Sequence, residues 1–207
     1  MNSSPSVIAS KNETPVVDIK HTSNDLIVLF EQTFLDSHCT RLVGGGEEPE
    51  YIPAIDLDSK HKIIFTHNYF ASALHEIAHW CIAGEQRRQL PDYGYWYAPD
   101  GRTVNQQKNF EQVEAKPQAL EWLFSRACGS PFKLSADNLE GEVGISDSFK
   151  QSVLGEVKYY CTKKNGINKS HIHREIRAIS FVEALVDYYQ VSTNFSPDNF
   201  SLCDLNE

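Results

Sequence analysis

The chain has 207 residues, of which 41% are hydrophobic and 11% aromatic, enough for one domain with a proper core and short for two. A net charge of −9 argues against a nucleic-acid binder that works by neutralising phosphates. No apolar run approaches the ~20 residues that span a bilayer, so no membrane partner is expected. The five cysteines (Cys39, Cys81, Cys128, Cys161, Cys203) are odd in number and form no C-x-x-C pair, which fits reduced thiols better than a disulfide framework. Met1-Asn2-Ser3-Ser4-Pro5 lacks the basic and apolar regions of a signal peptide, and a cytoplasmic protein is expected.

Residues 1–22 are polar and carry two prolines, which reads as a mobile arm ahead of a single domain over 23–207. Ser23 or Asn24 can cap a helix in which Leu26, Leu29, Phe30, Thr33 and Phe34 recur at helical spacing, ending near His38. Gly44-Gly45-Gly46-Glu47-Glu48-Pro49 is a loop by composition. Short strands are expected over Tyr51 to Asp56 and His61 to Thr66. A helix follows directly, with Asn68 as N-cap and Gly84 as a left-handed C-terminal cap. Pro91 to Arg102 is an aromatic-rich loop, and a second long helix runs from Gln106 to Arg126, kinked at Pro117 or made of two pieces. Helices close the chain over Ser146 to Lys163 and Arg174 to Gln190. The expected fold class is α+β: one helix-dominated domain with a small sheet.

The first of these long helices carries His75-Glu76-Ile77-Ala78-His79. Residues i and i+4 lie one above the other on a helix, with β-carbons about 5–6 Å apart, so both imidazoles can reach one ion at the ~2.0–2.1 Å of a nitrogen–metal bond. Glu76 is turned about 100° away, beside the ion, where its carboxylate can hydrogen-bond a metal-bound water or substrate. Phe70, Leu74, Ile77 and Cys81 form an apolar stripe, while Ala71, Ala78 and Trp80 keep the rest of the surface largely non-polar, so the helix is read as buried. Its three polar side chains then need partners. Two core histidines bonded to carbonyls would be the plainer explanation.

Two histidines hold a metal poorly alone, and the second long helix is the natural donor of a third ligand. Glu111, Glu114, Gln118 and Glu121 share one face of it, between Phe110, Val113, Leu120 and Trp122. They form either a solvated stripe or a wall of the site. Glu114, at the centre, is the preferred ligand, with Gln118 one turn on to hold the carboxylate or an imidazole; Glu111 is the rival. The site would then lie between the H-E-x-x-H helix and the following Glu-bearing helix.

The wider segment resembles a known family. His75-Glu76-Ile77-Ala78-His79-Trp80-Cys81-Ile82-Ala83-Gly84, then Asp92-Tyr93-Gly94-Tyr95-Trp96-Tyr97 with Pro99-Asp100-Gly101-Arg102, then Phe110-Glu111 to Trp122, are similar to the elongation factor P hydroxylases. The likeness is dense over residues 70–141 and thinner on either side. It implies a non-haem iron monooxygenase, with Fe(II) and dioxygen, acting on a lysine of elongation factor P that already carries a β-lysyl group. It also implies a metal site of two histidines and a downstream glutamate, which map to His75, His79 and a glutamate of the 111–114 pair. Two histidines and a carboxylate on one side of iron leave positions open for dioxygen and water. Glu76 would be the catalytic residue, ordering a metal-bound water or a protonated oxygen species. Tyr93, Tyr95, Trp96 and Tyr97 could line the lip of a channel for a long cationic side chain, with Arg102 bracing their loop by a salt bridge or facing water.

Two rival readings stand beside this one. A zinc metallopeptidase would use the same ligands with Glu76 as general base. A non-catalytic binding module would keep the histidines for structure alone.

Overall fold

The computed structural model describes residues 20–94, 101–136, 144–166, 173–192 and 194–205. Helix α1 (Ser23–His38) is capped by Thr22, one residue before Ser23 and two before Asn24, because the Thr22 hydroxyl accepts the Asp25 N–H. His21 and Thr22, at the end of the expected arm, are ordered: the His21 ring packs on Phe70 and Tyr189 and bonds the Cys128 carbonyl. Residues 1–19 lie outside the described residues.

Of the segment expected as a loop, Gly44-Gly45-Gly46 is strand, while Glu47-Glu48-Pro49 lies outside it. β1 spans Thr40–Gly46, β2 Glu50–Ile52 and β3 His61–Thr66, in the order β1-β3-β2, with β1 parallel and β2 antiparallel to the central β3. Composition concealed β1 because its glycines serve packing. A Cβ on Gly44 would stand 2.5 Å from Asn68 Oδ1 and 2.9 Å from the Phe65 ring, so only a bare Cα lets the strand pass. β2 stops before Pro53, well short of the expected end at Asp56.

β3 feeds α2 (Phe70–Ile82), the H-E-x-x-H helix. Neither expected cap is used. Tyr69 occupies the N-cap without a side-chain bond, and the C-cap is Ala83 with φ −58°, not a left-handed glycine. Instead Arg177 Nη2 donates to the carbonyls of Trp80, Cys81 and Ala83 at 3.3, 2.9 and 2.7 Å, and Arg88 Nη1 to Ala83 O at 2.9 Å. These are the orphan acceptors that any helix end must satisfy.

α3 (Val104–Cys128) runs unbroken through Pro117, so the two-piece alternative does not hold. Its N-terminus is a capping box between Thr103 and Gln106, and Gly129 with φ 72° closes its end. α4 (Asp147–Gly166) and α5 (His173–Tyr189) match the last two expected helices within a few residues. The fold class is as expected, helix-dominated with one three-stranded sheet. α2 lies at the centre, touching β3, α1, α3 and α5. Its Trp80 is fully buried, with ring centroids 5.1 Å from Phe30 and 4.8 Å from Phe34 of α1. One contiguous core joins residues from Leu26 to Leu205. Among the described residues no helix is long and apolar enough to cross a membrane.

Candidate metal centre

Because α2 packs its apolar stripe into the core, the two histidines emerge on the side that meets α3. Their rings lie 4.7 Å apart between centroids, and the two Nε2 atoms are 3.0 Å apart. On α3 the polar stripe is a wall of the site: Gln107, Glu111, Glu114, Gln118, Glu121 and Ser125 are all buried. Burial of so many polar groups is tolerated only where each finds a partner.

Glu114 points between the two imidazoles. Its Oε2 is 3.5 Å from His75 Nε2, and its Oε1 is 3.3 Å from His79 Nε2. Donors held at about 2.0–2.2 Å by one ion stand ~3–3.5 Å from one another, so these separations fit a shared cation. Oε2 is buried and has no hydrogen-bond partner among the described residues, which leaves a lone pair directed at the same point. Among those residues His75, His79 and Glu114 form the group able to hold a metal. The histidine side chains are 26% and 11% exposed and Glu114 is 3% exposed, so the site opens on the His75 side.

The electrostatics agree with a site built for positive charge. Burial on its own would lower the His75 pKa, but its bond to Glu121 and the charges of Glu121, Glu114 and Glu76 outweigh burial and raise it to about 10. Burial on its own would raise Glu114, but the charges of His79 and His75, with hydrogen bonds from His79 and Gln118, bring it down to about 2. Burial leads the Glu76 pKa upward, against the charges of His79 and His75. Three carboxylates around two imidazoles hold a proton firmly, and a divalent cation satisfies the same field better.

The remaining candidates are placed as follows. Glu111 leaves the histidines aside: it accepts from the Ser146 hydroxyl at 2.6 Å and its N–H at 3.3 Å, at the start of α4. Gln118 clamps both backbone groups of Ser135, at 2.9 and 3.0 Å, and its side chain helps to hold the Glu114 pKa down. Tyr93 is 5% exposed and stacked on Tyr51 at 4.2 Å. Arg102 is buried, donating from Nε to Gln107 and from Nη2 to Ala136 O at 3.0 Å each, with its guanidinium 3.9 Å over the Phe110 ring. Tyr95, Trp96 and Tyr97 lie outside the described residues.

Glu121 has the most direct part that the sequence reading left without a role. Its Oε2 accepts from His75 Nδ1 at 2.8 Å, which directs the Nε2 lone pair inward. The signal was present, since Glu121 stands two turns beyond Glu114 on the same face.

Compared with known proteins, residues 29–200 match the family model described as Elongation factor P hydroxylase. The chain belongs to the elongation factor P hydroxylase family. The match takes in α2 and α3 whole, and with them all three candidate ligands and Glu121. A relative from Haemophilus influenzae, the elongation factor P lysine hydroxylase, is 44% identical over 184 residues, covering 89% of this chain and 98% of its own length.

Proposed function

We propose that the chain is an Fe(II)-dependent monooxygenase that hydroxylates the β-lysylated lysine of elongation factor P in the cytoplasm, with dioxygen as co-substrate. The observation that carries this reading is the convergence of His75 Nε2, His79 Nε2 and a buried, unbonded Glu114 oxygen, in a member of a hydroxylase family. Iron held there by His75, His79 and Glu114 would supply the oxygen activation that protein side chains alone cannot.

The protein's own residues do the rest. Glu121 keeps the His75 ring turned so that Nε2 faces the centre. Gln118, one turn on from Glu114, bonds both backbone groups of Ser135, which ties the ligand-bearing helix to the 131–136 segment. Glu76, next to His75 on the same helix, would orient a water or the substrate beside the three ligands. His75, the most exposed of the three ligands, marks the side from which a lysyl arm enters.

The zinc peptidase reading uses the same donors, so ligand identity does not separate the two. The deciding experiment is intact-mass analysis of β-lysylated elongation factor P incubated with the protein, Fe(II), a reductant and air. A gain of one oxygen atom that depends on iron is expected. Peptide cleavage by the zinc form, with no mass gain from the iron form, would replace this reading with the peptidase.

A further inference from the structure

The segment after α3 folds back along that helix. The Ser130 N–H donates to Ser125 O at 2.9 Å, and the Phe132 ring stacks on Trp122 with centroids 5.6 Å apart. Ser135 then pairs with Gln118, and Ala136 with Gln107 near the helix start.

The fastening is heavy for two residues of irregular backbone. Gln118 Nε2 donates to Ser135 O at 2.9 Å, and the Ser135 N–H donates to Gln118 Oε1 at 3.0 Å. Ala136 O accepts twice, from Gln107 Nε2 at 3.1 Å and from Arg102 Nη2 at 3.0 Å. Arg102 Nε also donates to Gln107 Oε1, which fixes the direction of that amide. All three side chains are buried. Irregular backbone has no ladder of its own, and these side chains supply one.

Helical geometry says where the fastened dipeptide lies. Gln107 and Gln118 stand about three turns apart on α3, ~16 Å, and nearly in line. Amides that far apart meet at one dipeptide only by reaching towards each other, so Ser135 and Ala136 lie over the turns between. Those turns carry Glu111 and Glu114. On one flank of the line Glu114 and Glu121 turn to the imidazoles; on the other Glu111 turns to Ser146. The dipeptide therefore stands across from α2, with the third ligand between them. Leu134 is buried in the core while Ser135 is exposed, so the backbone is locked and one small side chain faces outward.

We propose that Ser135 and Ala136 form the second wall of the groove that takes the substrate's lysyl arm, facing α2 across Glu114. Gln118, Gln107 and Arg102 are positioning residues that hold this wall. Arg102 acts from behind it, because its guanidinium is buried 3.9 Å over the Phe110 ring. A long, flexible arm reacts at one carbon only if its path is fixed, and a wall with no freedom of its own provides that. The proposal rests on the hydroxylase reading.

Footprinting tests the wall without turnover. Ser135→Cys protein is loaded with Fe(II), kept free of oxygen and treated with iodoacetamide, and labelling at position 135 is read by peptide mass spectrometry. Saturating β-lysylated elongation factor P is expected to slow this labelling at least about fivefold more than the unlysylated form does. Leu57→Cys, at a fully exposed position between β2 and β3, is expected to label equally with either form. A kinetic test is independent of the new cysteine. Gln118→Leu releases the Ser135 backbone, so KM is expected to rise about tenfold, while kcat and metal affinity each move less than about threefold. A purely structural glutamine would lower the melting temperature and leave KM in place. Equal labelling of position 135 with both forms, or an unchanged KM in Gln118→Leu, overturns the proposal. If the parent adds no oxygen to elongation factor P, the hydroxylase reading fails, and the labelling still decides whether a lysyl arm lies against this wall.

Discussion

Glu121 Oε2 lies 2.8 Å from His75 Nδ1, so the ring that offers Nε2 to the centre is held from behind by a carboxylate on the facing helix. That bond fixes the tautomer and enriches the ligating nitrogen. Glu121→Gln keeps the shape and removes the charge. Metal affinity, measured by competition against a chelator, is expected to fall about 10–100-fold, while the far-ultraviolet circular dichroism of the protein stays unchanged. Affinity equal to the parent would show that Glu121 is merely a buried partner.

Glu114 and Glu111 are one turn apart on α3 and serve different neighbours. Glu114→Ala removes the carboxylate between the imidazoles and is expected to abolish stable metal binding and oxygen transfer. Glu111→Ala strips the start of α4 of its bond to Ser146, a part-buried charge-assisted contact. It is expected to retain metal and lower stability by about 1–3 kcal/mol, read as a drop in melting temperature. The reverse pattern would exchange the two roles.

The difference between these glutamates shows what the sequence could and could not reveal. His75, His79 and the α3 stripe were legible, because helical periodicity places side chains on faces from local spacing alone. Which way Glu111 leans depends on Ser146, thirty-five residues away, and no local pattern reports that. β1 was hidden for the same reason: its glycines look like a loop until β3 and Asn68 are brought against them. The α2 cap was hidden by a different effect. Gly84 is a good local candidate, but Arg177 of α5 reaches the carbonyls first, so tertiary contact overrides local preference.

His38 couples stability to acid. Burial, then the charges of Arg177 and Arg88, lower its pKa from 6.5 to about 4. Because the folded value lies below the unfolded one, its contribution is fully present above pH 6.5 and is lost as pH falls towards about 4. The ring is only half-buried, so solvent screening keeps the effect modest. Between pH 7 and pH 4.5 the parent is expected to lose more melting temperature than His38→Gln, whose side chain does not titrate. Parallel curves for the two proteins would show that other groups govern the acid limb.

Arg177 is the long-range cap on which the metal helix ends. Its Nη2 serves three carbonyls of α2, and its guanidinium lies 5.0 Å from the Trp80 ring centroid in the core. Arg177→Met preserves much of the side-chain volume and leaves those acceptors to Arg88 alone, which reaches only Ala83 O. Each buried carbonyl without a donor costs about 1–3 kcal/mol, so a loss of several kcal/mol is expected in denaturant unfolding. His79 sits one turn from this helix end, so fraying there would also loosen one ligand. Metal affinity is therefore expected to fall along with stability in Arg177→Met. Lysine at 177 is expected to recover only part of both, since a single ammonium cannot reproduce the planar fork. Unchanged metal affinity in a clearly destabilised Arg177→Met protein would show that the helix end and the metal centre are mechanically independent.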